Sequence, residues 1–120
     1  MKNTTLVLGA SLKEHRSSNY AIRRLRDSDI DTVAIGLRKG IIADVSIETE
    51  NRLYKDIDTV TLYLNEKRQE NFYDYIISLQ PRRVIFNPGT ENSVFYKILK
   101  ENNILVDVAC TLVLLSTNQY

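Results

Sequence analysis

Gly9, Ala10 and Ser11 stand directly behind the apolar run Leu6, Val7, Leu8, and Lys13 and Arg16 follow a few positions on. Three of the smallest side chains between a run of strand formers and a stretch that reads as a helix leave room for a ligand. Free N-terminal amides and the positive end of a helix dipole would face that room, which is the chemistry of phosphate binding. Ser11 adds a hydroxyl, and Arg16 a rigid cationic fork that matches two phosphate oxygens. Lys13 is a looser cation. The same Gly9 and Ala10 serve equally for tight packing of strand against helix, with Arg16 left in solvent. A dinucleotide fingerprint is absent, because Ser11 and Glu14 stand where GxGxxG needs its later glycines. After the second apolar run the chain reads Gly36, Leu37, Arg38, Lys39, Gly40. An NAD site would place an acid there to hold the ribose hydroxyls. Two cations and no acid suit a ribose that carries an extra phosphate, as in NADP or coenzyme A, or else a plain exposed turn.

Other residues of chemical interest are isolated. His15 is the only histidine and lies within the first loop. Cys110 is the only cysteine, which excludes an internal disulfide and a multi-cysteine zinc site. It reads as a small apolar residue or as a thiol able to form a mixed disulfide. Glu91 reads as a base only if there is a reaction, and otherwise complements a helix dipole. No nucleophile and base occur in a recognisable pattern, so catalytic residues and metal ligands are both expected to be none.

These residues must be positioned by alternating strands and helices. Leu6–Leu8 is a strand covered on both faces. Ser17, Ser18 and Asn19 are expected to cap a helix that buries Ala21, Ile22 and Leu25. Asp31–Gly36 is a second strand, with Leu37–Gly40 a polar loop behind it. Asp44–Ile47 is a weaker peripheral strand, and Asp58–Leu64, rich in β-branched residues, a firm one. One helix is expected over Lys67–Leu79, with Phe72, Tyr73, Ile76 and Leu79 at helical spacing and Pro81 behind it. Arg83–Phe86 is a strand stopped by the turn Asn87, Pro88, Gly89, Thr90. Asn92 or Thr90 caps a helix with the stripe Val94, Phe95, Ile98, Leu99, and Ile104–Val108 is the next strand. The tail from Ala109 fits a strand or a short helix, with helix favoured. This alternation gives an α/β fold: a Rossmann-like three-layer sandwich with a mostly parallel sheet of about five or six strands. Ligands of such sheets sit beyond the carboxyl ends of the strands.

At 120 residues, with 43% hydrophobic and 26% charged residues, the chain fits one ordinary domain spanning 1–120. A net charge of +1 argues against a nucleic-acid partner but leaves room for a local anion site. No apolar run approaches the roughly 20 residues that span a membrane, and the opening residues are too polar for a signal peptide. A cytoplasmic protein is expected, and so small an α/β domain is compatible with a homodimer.

VLGAS with Arg16 and Ser18, the strand DTVTLYL, the segment RQENFYDYI, the run PRRVIFNPGTEN and the ending ACTLVLL together resemble the small bacterial CoA-binding proteins. Those are stand-alone relatives of the CoA-binding domain of succinyl-CoA synthetase. The resemblance spans nearly the whole chain. It implies a Rossmann-like fold in which Gly9, Ala10, Ser11, Arg16 and Ser18 hold the CoA pyrophosphate. Gly36–Gly40, with Arg38 and Lys39, would lie near the adenosine and its 3′-phosphate. The loops after Leu64 and Phe86 would line the pantetheine arm. In the second of these, Asn87, Pro88, Gly89 and Thr90 can offer amides and polar groups to that arm, or form a plain turn that caps the next helix. The chain departs from relatives at Ser28–Ile30 and at Ser93, both turn or helix-start positions, and it lacks the synthetase's phosphorylated histidine. The expected function is binding of coenzyme A or an acyl-CoA as a carrier, sensor or regulatory module. An NADP-dependent oxidoreductase, a CoA transferase-like enzyme and a ligand-independent partner subunit are the alternatives.

Overall fold

The computed structural model describes residues 3–120. In chain order the elements are β1 (Thr4–Ala10), α1 (Ser17–Asp27), β2 (Thr32–Gly36), β3 (Gly40–Ile42), β4 (Val45–Glu48), β5 (Ile57–Leu62), α2 (Glu66–Gln69), α3 (Tyr73–Leu79), β6 (Arg83–Phe86), α4 (Ser93–Glu101), β7 (Leu105–Val108) and α5 (Thr111–Ser116). Leu6, Val7 and Leu8 of β1 are apolar in succession and inaccessible to solvent. Only an inner strand with both faces covered buries such a run. β1 accordingly takes the centre of one seven-stranded sheet, order β3-β4-β2-β1-β5-β6-β7. Every pairing is parallel except that of β3 with β4.

Alternation along the strands divides the core in two. Leu6, Leu8, Val60, Leu62, Val84 and Phe86 meet Ile76 of α3 and Phe95 and Leu99 of α4. Val7, Ala34 and Ile47 meet Ile22 and Leu25 of α1 and Leu115 of α5. Helices on both faces of a mainly parallel sheet complete the Rossmann-like sandwich expected from the alternation. From β1 the chain crosses by α1 to β2, and it later returns to place β5 on the other side of β1. The crest above β1 and β5 is therefore the place where crossovers diverge, the usual ligand crevice of such sheets.

The structure differs from the sequence expectation in four places. The sheet has seven strands because Gly40–Ile42, of which only Gly40 is expected in the polar loop, pairs with β4 as a hairpin. Its turn carries Ala43 at φ 54, and Arg26 of α1 holds Asp44 in that turn through two bonds of 2.8 and 2.9 Å. The single helix expected from Lys67 is broken into α2, a 3-10 turn at Glu70–Phe72, and α3. Asn65 caps α2 by accepting from the Arg68 amide at 2.9 Å. Arg16 occupies the N-cap of α1 with no side-chain cap bond, and Ser17 is already helical. β1 also runs on through Gly9 and Ala10, with a register irregularity between Leu8 and Ala10. The tail forms the short α5, as favoured.

Candidate functional site

Gly9 adopts φ 98, a conformation that side chains strain to reach, and a Cβ there would lie 2.9 Å from the Tyr63 backbone. The room left by the missing side chain is thus filled by the chain leaving β5. Gly36 is as constrained at the end of β2, where a Cβ would fall 2.3 Å from the Ala10 carbonyl oxygen. Ala10 itself is buried in the core beneath α1. These contacts draw the ends of β1, β2 and β5 together at the crest.

The loop between β1 and α1 is held from inside. Asn19, 3% exposed on the first turn of α1, donates from Nδ2 to the Ser11 carbonyl at 3.0 Å, and its Oδ1 accepts from Arg23 Nε at 3.0 Å. Ser11 Oγ accepts from the Lys13 amide at 3.2 Å, which leaves its proton free to donate outward. Ser18 is buried in the same first turn. The α1 N-terminus has neither a side-chain cap nor an acidic residue in its first turn. Arg16 is exposed at that terminus, with Lys13 on the loop before it. Arg38 and Lys39 are exposed on the turn between β2 and β3. Among the described residues none of these four cations has an ion-pair partner; the ion pairs engage Arg26, Arg52, Arg82 and Arg83 instead. Leu12, 43% exposed, packs against Gly40, where a Cβ would come within 2.5 Å of its side chain. Leu37 and Ile41, 75% and 69% exposed, are neighbours in sequence of the same cations and add apolar surface to this part of the fold.

The crest of β5 and β6 is built differently. Leu64 is buried with the core of α3 and α4, so only its backbone is available to the loop. Asn87 is buried and its side chain fully used: Nδ2 donates to Thr61 Oγ1 at 2.7 Å and to the Leu62 carbonyl at 2.8 Å, and Oδ1 accepts from the Thr111 amide at 2.8 Å. Thr90 is buried too and donates to the Asn87 carbonyl at 2.7 Å. Pro88 and Gly89 are the exposed tip, with Gly89 at φ 91 and its amide donating to Glu91 Oε1 at 2.9 Å. Asn92 caps α4 by accepting from the Phe95 amide at 3.1 Å. The structure thus brings Gly9, Ala10, Ser11, Arg16, Ser18 and Gly36 together around β1 and β2. Asn87 and Thr90 act within the fold as braces.

The tyrosines near the crest pack inward. Tyr73 stacks on Phe95 at 4.2 Å, and Tyr75 donates to the Arg52 carbonyl. Tyr63 at the end of β5 has a buried hydroxyl with no hydrogen-bond partner, and burial pushes its phenol up to about 12. Cys110 is half-buried at the start of α5, and His15 is exposed. Among the described residues no three His, Cys, Asp or Glu side chains come together as metal ligands. Among the described residues no helix is long and apolar enough to cross a membrane. Asn19 and Gln69 brace the crest loops from buried positions, a part the sequence reading gave to neither, Asn19 being expected only as a helix cap. Both are polar residues at buried positions of a helix, and that is the signal each carried.

Comparison with known proteins follows the same lines. The model of a family described as CoA binding domain matches residues 3–116. An uncharacterized protein of known crystal structure is 41% identical over 100% of this chain and 99% of its own, with a TM-score of 0.95. A Thermus thermophilus protein, cell-free ID.343, is 21% identical over 99% of this chain and 91% of its own, TM-score 0.87. A hypothetical protein from Pyrococcus horikoshii OT3 is 22% identical over 93% and 80%, TM-score 0.81. The search of curated proteins found no match.

Proposed function

We propose, from the premise that this chain belongs to the CoA-binding domain family, that it binds coenzyme A or an acyl-CoA by its phosphates and acts as a carrier, sensor or regulatory module. The observation that carries the reading is the set of exposed, unpaired cations around an uncapped helix terminus, at the crest where the crossovers diverge. A pyrophosphate needs donors and positive charge without competing carboxylates. The amides of α1, the Ser11 hydroxyl and Arg16 meet that need, with Gly9 and Ala10 shaping the floor. Arg38 and Lys39 fit the 3′-phosphate, and Gly36 keeps their turn close to β1. Leu12 and Leu37 supply apolar surface suited to an adenine.

CoA is then a resident ligand whose reactive thiol this chain carries and does not transform. The amide-rich arm runs away from Arg16, Arg38 and Lys39, over β5 and β6, where Leu64 offers backbone and Asn87, Pro88, Gly89 and Thr90 form an uncharged turn. Isothermal titration tests the reading. Saturable heat with CoA at up to millimolar concentration is expected, together with a thermal midpoint that rises with ligand concentration. Absence of both overturns it.

A further inference from the structure

Gln69 is inaccessible to solvent at the C-terminus of α2, and both polar atoms of its side-chain amide are hydrogen-bonded. Its Nε2 donates to the Leu64 carbonyl at 2.9 Å and to the Thr90 carbonyl at 2.7 Å. Its Oε1 accepts from Asn92 Nδ2 at 2.9 Å, and that same nitrogen donates to the Tyr73 hydroxyl at 2.8 Å. Leu64 belongs to the loop after β5, and Thr90 and Asn92 to the loop after β6. One amide therefore ties two loops that no strand pairing joins at this height. Asn87 then carries the tie to the start of α5 through the Thr111 amide. The 3-10 turn after Gln69 is part of the same device, because it lets Gln69 face the loops while Phe72 and Tyr73 face the core.

The two halves of the crest contrast. On the β1 and β2 side the ligand-facing groups are solvated cations. On the β6 and β7 side the loops Asn87–Asn92 and Ala109–Thr111 hold no cation and one carboxylate, Glu91, and the first of them is braced by buried amides, while Lys67 and Arg68 are exposed on α2 behind β5. A ligand that is anionic at one end and a chain of neutral amides at the other suits solvated cations at the first place and loops held by buried amides at the second. We infer that Gln69 is a positioning residue for the neutral arm of the ligand, fixing the loops after β5 and β6 at the separation that the arm requires. This rests on the CoA reading above. Pre-set loops spare the ligand the cost of ordering them on binding.

The experiment compares CoA with adenosine 3′,5′-bisphosphate, which keeps the adenosine and its phosphates but has no arm. In Gln69→Met the two carbonyls lose their shared donor while side-chain length is kept. Affinity for CoA is expected to fall about tenfold, the loss that accompanies one or two hydrogen bonds, with affinity for the bisphosphate unchanged within about twofold. Asn92→Ser is the second variant, because serine can still cap α4 but cannot bond Gln69 and Tyr73. The same selective loss is expected, in smaller measure. Equal loss of both ligands by a folded variant, or no loss of either, overturns the assignment. If the unaltered protein binds neither ligand, the CoA reading itself has failed.

Discussion

Arg16 sits at the N-cap of α1 without a side-chain bond to the helix and without a carboxylate partner among the described residues. Its removal therefore breaks no side-chain hydrogen bond or ion pair, and its charge is free for a ligand. Arg16→Ala is expected to weaken CoA binding by about 1.5 to 3 kcal/mol, the worth of a charged hydrogen bond to phosphate, with little change in the thermal midpoint. Calorimetric titration of the variant checks this, and unchanged affinity would show that Arg16 points elsewhere. At this scale the cations and small residues of the crest were legible because their types are chemically uncommon together. The braces were not. Gln69 lies four positions before Tyr73 and extends the stripe Phe72, Tyr73, Ile76 by one turn, a polar residue at a buried register. Spacing marks such a position, yet only tertiary structure says whether its amide meets partners, as it does at Leu64 and Thr90. The smallness of Gly9 had two readings, and the backbone of Tyr63 against it shows packing to be one of its uses.

Elements were read most surely where hydrophobic pattern and length agree. β1, β5 and β6 are short runs buried on both faces, and α4 has its asparagine cap and buries Phe95 and Leu99, although Val94, expected in the same stripe, turns outward and is 63% exposed. The β3–β4 hairpin escaped because a three-residue strand beginning with glycine has too few alternations to register, and its turn depends on Ala43 at positive φ and on Arg26 from α1. Neighbouring elements are also linked by charge at the far end of the sheet. Arg82, just before β6, donates from Nε to Asp58 Oδ1 at 2.8 Å and from Nη2 to Oδ2 at 3.0 Å near the start of β5. That bidentate bond, assisted by Thr59, holds the Asp58 carboxyl below its ordinary 3.8. A carboxyl depressed in the folded state stabilises the fold above its unfolded value, and the contribution is lost as pH falls through the lower folded value. Asp58→Asn is expected to lower the thermal midpoint slightly at neutral pH, in keeping with a half-exposed pair worth about 0.5 kcal/mol. It should also lose less on acidification below about pH 4, so that the two profiles converge. Parallel profiles from pH 6 to 2.5 would show the pair to be inert.

Over the whole molecule 16 basic and 15 acidic residues nearly cancel, and the net charge of +1 conceals an uneven distribution. The ion pairs engage Arg26, Arg52, Arg82 and Arg83, while Lys13, Arg16, Arg38 and Lys39 on the loops after β1 and β2 are left unpaired among the described residues. A polyanionic ligand therefore meets a local excess of positive charge, four cations against Glu14 on these two loops, even though the protein as a whole is close to neutral. Salt reads this out, since the screening length falls from about 10 Å at 0.1 M to about 3 Å at 1 M ionic strength. CoA is expected to lose affinity more steeply with added salt than dephospho-CoA, which lacks the 3′-phosphate placed against Arg38 and Lys39. Replacing both cations by alanine should bring the two slopes together and erase most of the affinity difference between the ligands. Titrations of both ligands at several salt concentrations, with and without the double substitution, decide the matter. Equal slopes in the unaltered protein would remove the 3′-phosphate from the β2–β3 turn, while leaving the pyrophosphate at the α1 terminus to be judged by Arg16 alone.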